Sequence, residues 1–164
     1  MPPEFLLYTS ATAALVTAII SGVFLTFSDF VMRSLRATSA STGIVAMQAI
    51  NQTVYRSLFL ALLLGMVPLS LMIAGLAFVL QSDNSTIWLT TGSIIYLFGV
   101  FLVTMACNVP MNNKLKAMAN DSPAGHSYWP IYSRNWTHWN HLRTIASAAA
   151  AFCFLIGTIG LASL

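Results

Sequence analysis

Charge is what this chain has least of. Lys, Arg, Asp and Glu together make up 7% of its 164 residues, against roughly 25% in an ordinary soluble domain. Seven Lys and Arg and four Asp and Glu cannot clothe a soluble surface, which excludes a water-soluble globular domain. The basic residues form no stripe of the kind that binds nucleic acid, so no nucleic-acid partner is expected. Cysteine is scarce too. Cys107 and Cys153 fall in different apolar stretches, expected at different depths, and read as buried free thiols rather than a disulfide. Catalytic signatures are also missing. There is no Ser-His-Asp order, no phosphate-binding loop, and no dinucleotide fingerprint, since no strand precedes Gly157 and Gly160. The Glu-x-x-His repeat of di-iron bundles is absent as well. The opening Met1-Pro2-Pro3-Glu4 has no basic segment, and the apolar stretch after it is too long for a cleavable leader. No repeat or low-complexity tail divides the chain, so a single domain over residues 1–164 is the natural reading.

What the chain does have is apolar residues, 57% of the total. Four stretches without Asp, Glu, Lys or Arg are long enough for a bilayer, which needs about 20 residues. They run Phe5 to Ser28, Ser57 to Ser82, Asn84 to Asn113 and Thr144 to Leu164. The spans are placed at residues 5–28, 57–80, 87–109 and 144–164. In lipid every backbone polar group must be paired within the chain, so such stretches become helices. The expected fold is all-α: an integral membrane four-helix bundle, up-down-up-down. Arg33, Arg36 and Arg56 lie between the first two spans. Lys114, Lys116, Arg134 and Arg143 lie between the last two. Glu4, Asp83 and the C-terminus share the other side with no basic residue. The excess of positive charge on cytoplasmic loops then puts both basic loops inside and both termini outside. A bacterial inner membrane is the expected location, and the bilayer the first partner.

Interface markers agree. Trp88 and Tyr8 fall at the outer edge, and Trp129, Trp136 and Trp139 at the inner one. A short outer loop at Gln81 to Thr86 makes spans two and three a hairpin. Helices are expected to extend beyond the membrane on the cytoplasmic side. There Thr38 to Thr42 offers N-caps, and Gly43 to Arg56 runs on at helical spacing into span two. Ala119 to Ser133, with Asp121, Pro123, Gly125 and Pro130, reads as a surface loop. Pro110 predicts a kink late in span three, and Pro68 another in span two. Gly65, Ala74, Gly75 and the run Ala146 to Ala151 permit close packing. Asn84-Ser85-Thr86 fits a glycosylation acceptor, a match that is common by chance.

Polar residues at membrane depth carry the functional information. Gln48, Asn51 and Tyr55 share one helix face, three and four residues apart. Asn108 and Asn112 lie one turn apart around Pro110. Asn140, Arg143 or Thr144, and Ser147 form a third stripe, with Trp136 one turn earlier. Asp29 ends the first span, four residues before Arg33. All sit at the cytoplasmic ends of their helices and meet at one depth. Such groups are costly in a low-dielectric place unless paired. Turned inward they form a polar chamber roofed by Trp136, Trp139 and Trp129, suited to a flat polycyclic or quinone-like molecule. The plainer alternative is that the carboxamides bond across helices, at about 0.6 kcal/mol each. On that reading Asp29 and Arg33 are an ordinary ion pair and the tryptophans anchors.

Three histidines remain. His138 and His141 are three apart and spaced to share a metal, with His126 in the loop. A third ligand is not evident, so no metal site is expected. His141 has the one side chain in this cluster suited to proton transfer near neutral pH.

Four segments carry a resemblance. They are Phe27-Ser28-Asp29-Phe30-Val31-Met32, Met47-Gln48-Ala49-Ile50-Asn51, Asn108-Val109-Pro110-Met111-Asn112-Asn113-Lys114-Leu115, and Trp136-Thr137-His138-Trp139-Asn140-His141-Leu142-Arg143-Thr144. Together they resemble the anthrone oxygenase-like family of small four-helix membrane proteins, over almost the whole chain. The Asn-x-Pro-x-Asn and Trp-x-x-Trp-Asn-x-x-Arg segments are the specific ones. The resemblance implies oxidation of an anthrone to an anthraquinone by molecular oxygen, without an organic cofactor. It implies that Asn108, Asn112, Trp136, Asn140 and Arg143 matter, with Gln48 and Asn51. A base is required, for which His141 is the candidate, with Arg143, Asn108 and Asn140 as donors to a developing oxyanion. Gln48, Asn51, Tyr55, Asn112, Trp136, Trp139 and Asp29 are the expected substrate-binding residues.

The leading reading is a membrane oxygenase-like protein acting with O2 on a hydrophobic anthrone, phenolic or quinol-type small molecule near the cytoplasmic interface. The alternative is a non-enzymatic binding or accessory subunit whose polar cluster locks the bundle. A small transporter is third and requires a homo-oligomer, because four helices are few for one alone.

Overall fold

The computed structural model describes residues 3–80 and 83–163. Of the hairpin expected at Gln81 to Thr86, Gln81 and Ser82 lie outside the described residues, as do Met1, Pro2 and Leu164. The described residues form five helices and no strand: α1 (3–36), α2 (Ala40–Val54), α3 (Leu58–Leu80), α4 (83–116) and α5 (Pro123–Ala162). All but α2 are long and apolar enough to cross a membrane. Their outward faces carry Leu15, Ile19, Phe78, Phe98, Ile145 and Phe152, all exposed. A surface of that kind belongs in lipid.

Local capping explains where the helices differ from expectation. The stretch from Gly43 does not run on into span two, because the chain breaks at Tyr55–Ser57. There Ser57 Oγ accepts the Leu60 N–H at 3.2 Å, opening α3 as a new helix. Ala119 to Ser133 is mostly not a loop. Ser122 Oγ accepts the Gly125 N–H at 3.0 Å, with Pro123 in the first turn. Pro fits that position because the N–H it lacks has no helical acceptor there. So α5 starts about twenty residues before the expected fourth span, and its 40 residues reach about 60 Å at 1.5 Å per residue. Pro68 is housed inside the continuous α3. Pro110 does not end α4. The turns before it, Thr104–Asn108, widen to π-helical bonding, with the Val109 N–H on Thr104 O. That widening accommodates a residue that cannot donate.

Two apolar clusters fill the interior. The larger one joins Phe24, Leu63, Met66, Ile73, Tyr96 and Phe154 among others. The smaller gathers Met32, Ile44, Met47, Leu115, Trp129, Tyr132 and Trp136. On three helices the sequence passes from one cluster to the other through a short polar interval. It holds Ser28 on α1, Thr104 and Asn108 on α4, and Asn140 and Arg143 on α5. α1 and α5 face each other along their length: Ser10 bonds Thr158 at 2.8 Å, and Ser21 bonds Thr144 O at 3.2 Å.

Close approach of α4 and α5 rests on Gly99. A Cβ there would lie 2.6 Å from Ala146 Cβ, which sits on the backbone and cannot swing aside. Gly99→Ala is expected to part the helices and destabilise the protein by about 1–3 kcal/mol. At Gly22 an added Cβ meets nothing within 4 Å, so Gly22→Ala serves as the matched control. Thermal unfolding of the two variants in detergent checks this; equal midpoints would contradict the packing.

Candidate functional site

The polar interval is a bonded network, and Asn140 is its hub. From α5, fully buried, its Nδ2 donates to Phe24 O at 2.7 Å and to Ser28 Oγ at 2.6 Å. Its Oδ1 accepts from Arg143 Nη2 at 2.6 Å. Arg143 Nη1 donates to Thr104 Oγ1 at 3.2 Å, and Thr104 donates in turn to Val100 O at 2.7 Å. Three helices thus aim one guanidinium. π-helical turns occur at the same level, Phe27–Val31 in α1 and Thr104–Asn108 in α4. Such turns are frequent where a helix re-aims side chains at a functional site.

Arg143 is only 5% exposed. Among the described residues no Asp or Glu bonds to it. Aromatic faces stand in for a carboxylate: its guanidinium carbon lies 4.2 Å from the Phe24 ring centroid and 5.3 Å from that of Trp136. Such contacts stabilise a cation, though less than a carboxylate does.

A cavity of about 480 Å³ opens beside the network, lined from all five helices and from the break at Tyr55–Ser57. Its wall is largely apolar, with Phe24, Phe27, Phe59, Leu63 and Trp136. The volume and the few convergent polar groups suit a small-molecule site. Four buried polar atoms of its lining residues have no hydrogen-bond partner in the protein: Arg143 Nε, Trp136 Nε1, Asn51 Nδ2 and Asn108 Oδ1. For Asn108 the orientation is fixed, because its Nδ2 donates to Trp136 O at 3.3 Å. Unmade hydrogen bonds of this kind cost about 1–3 kcal/mol each when no partner arrives.

Of the residues expected in the site, Asn51, Tyr55, Asn108, Asn112, Trp136, Asn140 and Arg143 line the cavity. Asn112 accepts the Tyr132 hydroxyl at 2.9 Å. The structure places the others elsewhere. Gln48 does not line the cavity; its Nε2 donates to Leu115 O at 2.9 Å and Met118 O at 3.0 Å, tying α2 to the end of α4. Asp29 is exposed on α1, Trp139 is 40% exposed on α5, and neither lines the cavity. His141, expected beside Asn140, is exposed, as is His138. One residue advances a helix by roughly 100°, which turns His141 away from the interior that Asn140 enters. Among the described residues no three His, Cys, Asp or Glu side chains gather as a metal-binding set. Trp129 is buried and stacked on Tyr132, centroids 5.8 Å apart, rather than roofing the cavity. Cys107 and Cys153 are free thiols.

Sequence reasoning missed Phe24, Ser28, Thr104 and Tyr132. Thr104 had a signal, one turn before Asn108 on the same stripe. So had Tyr132, one turn before Trp136. The Phe24 carbonyl had none, since a backbone acceptor leaves no mark in a sequence.

Comparison with known proteins gives one match and two blanks. No curated protein and no solved structure matches the chain. Residues 52–153, more than half of the chain, match the anthrone oxygenase family. That segment holds Asn108, Asn112, Trp136, Asn140 and Arg143, and leaves Phe24 and Ser28 of α1 outside it. By this match the chain belongs to the anthrone oxygenase family.

Proposed function

We propose that the protein is a membrane oxygenase that converts a hydrophobic anthrone or related phenolic compound to its quinone with O2, in the cavity beside Arg143. The observation that carries this reading is the pairing of an aromatic-walled cavity with a buried guanidinium that has no carboxylate. Family membership supplies the reaction class. An anthrone carries a methylene between two aromatic rings, opposite a ketone. Loss of a methylene proton gives an enolate whose oxygen holds the charge. Arg143, aimed by Asn140 and Thr104, faces that developing charge, and fixed donors in a dry site are effective there. The electron-rich ring carbon adds O2 and becomes a hydroperoxide. Loss of the second hydrogen with cleavage of the O–O bond gives the new carbonyl and one water. One O2 is consumed per anthrone; one of its oxygen atoms enters the quinone and the other the water.

His141 does not serve as the base in this scheme. Arg143 and Tyr55 are the ionisable side chains of the cavity wall; the methylene proton passes to solvent water on the open side, where exposed Tyr55 lines it, and a proton from the same water completes the hydroperoxide. No metal or organic cofactor is invoked. The bundle is assigned up-down-up-down, with basic loops cytoplasmic and both termini outside, in a bacterial inner membrane. The one-sided placement of the six basic residues other than the buried Arg143 supports that orientation.

The test is oxygen uptake by the purified protein in neutral detergent with anthrone, with the quinone assayed in parallel. Uptake proportional to protein, one O2 per quinone and insensitive to chelator, is expected. A rate no higher than autoxidation at every protein concentration would contradict the reading. A second reading has one observation in its favour. Asn140 bonds three partners across α1 and α5, as expected of a polar lock in an accessory subunit, and that reading predicts no uptake.

A further inference from the structure

We propose that the cavity takes its ligand as an anion, the ionised oxygen of an acidic aromatic compound providing the counter-charge that Arg143 lacks in the protein. The inference rests on reading the cavity as the ligand site, and not on any oxygenation.

A guanidinium held in an apolar interior without a carboxylate is an unfinished arrangement. Burying a charge costs on the order of several kcal/mol unless an opposite charge accompanies it. Here two neutral acceptors, Asn140 Oδ1 and Thr104 Oγ1, hold Nη2 and Nη1, and Nε is left without a partner. Those bonds orient the charge without cancelling it. The groups packed around it add no negative charge. From α1 come the Phe24 ring and, through Asn140, Ser28. From α5 comes the Trp136 ring, and the titratable groups that act on the guanidinium are the Tyr132 phenol of α5 and the Cys107 thiol of α4. The Tyr132 hydroxyl already donates a hydrogen bond to Asn112 Oδ1. From the α2–α3 break the cavity wall adds the phenol of Tyr55. The unpaired atoms have the matching chemistry. Arg143 Nε, Trp136 Nε1 and Asn51 Nδ2 are donors, and Asn108 Oδ1 is a lone acceptor. Three unmet donors against one unmet acceptor describe a ligand richer in acceptor oxygens than in hydroxyl hydrogens. A phenolate or carboxylate on a flat aromatic frame is such a ligand.

Three probes of one skeleton, none of them able to undergo the proposed oxygenation, separate charge from shape: 2-hydroxyanthraquinone, its methyl ether, and anthraquinone-2-carboxylate. Binding is read by quenching of tryptophan fluorescence in neutral detergent. In the wild type the hydroxy compound is expected to tighten as pH rises through that phenol's own ionisation. The carboxylate binds evenly over the same range. The ether binds at least about tenfold more weakly than either anion, the size of one charge-assisted hydrogen bond. Arg143→Met, in the same micelles, is expected to erase the difference while still binding the ether. Arg143→Lys keeps the charge but loses the fork, and is expected to keep the pH dependence at lower affinity. An ether that binds the wild type as tightly as the carboxylate would overturn the proposal without any variant being needed. So would an anion preference that survives in Arg143→Met. Absence of oxygen uptake together with an Arg143-dependent anion preference would refute the oxygenase and leave this inference standing. Uptake without the preference would do the reverse.

Discussion

Arg143→Met is expected to lower protein-dependent oxygen uptake with anthrone by about 10²–10³-fold, the usual effect of removing a preorganised oxyanion donor. Stability is expected to change little. The guanidinium has aromatic faces and two neutral acceptors but no bonded carboxylate among the described residues. Methionine of similar length fills the same space and removes a buried charge that nothing in the protein neutralises. Against that gain stands Asn140 Oδ1, which loses its donor at about 1–3 kcal/mol, so the net change is expected to be small. A structural role for Arg143 makes the opposite prediction, a large fall in the unfolding midpoint. Rate and midpoint measured on one preparation separate the two. His141→Ala, on the exposed side of the same helix, is expected to change the rate by less than about threefold, within ordinary surface effects.

Asn140→Ala is expected to damage both properties. Its carboxamide bonds α1 and the guanidinium together, through Phe24 O, Ser28 Oγ and Arg143 Nη2. Truncation leaves buried acceptors and a buried donor without partners, at about 1–3 kcal/mol for each group left unmet. The lower end applies if water enters from the cavity. Arg143 is then held by Thr104 alone and loses its fixed aim. Misplacement on that scale typically lowers a rate by about 10²-fold. The expected signature is a lower kcat with a lower unfolding midpoint, measured by uptake kinetics and thermal unfolding. An unchanged midpoint with a normal kcat would show that the network neither holds the helices nor aims the charge. The double variant Asn140→Ala/Arg143→Met gives a further check. Its rate should be close to that of Arg143→Met alone, because the two residues act as one unit.

The membrane helices were legible because a run of some twenty residues without charge has few other uses. Their boundaries were less so, for one reason at two places. Pro123 with Gly125, and Ser57 after a polar segment, are signals shared by loops and by helix starts. Only the bonds from Ser122 and Ser57 to the amides three residues on show that both are caps. Among the site residues, Asn108, Asn140 and Arg143 stood out because a polar side chain inside an apolar run must find a partner. Helical spacing put them on faces that line one cavity. His141 was drawn into the group by adjacency in sequence, which on a helix means a turn away from its neighbour's face. Gln48 shares a stripe with Asn51, yet its long side chain reaches the Leu115 and Met118 carbonyls at the end of α4. Spacing gives the face of a helix; it does not say how far along it a side chain will stretch.

One measurement bears most directly on the claim that the Arg143 cavity is where the chemistry occurs. Anthraquinone-2-carboxylate is added to the oxygen-uptake assay over a range of anthrone concentrations, and its inhibition constant is compared with its dissociation constant from fluorescence. Competitive inhibition is expected, with the two constants equal in the wild type and weakened together in Arg143→Lys. Full uptake at a probe concentration that saturates the cavity would contradict it, and the reaction would then have to take place elsewhere on the protein.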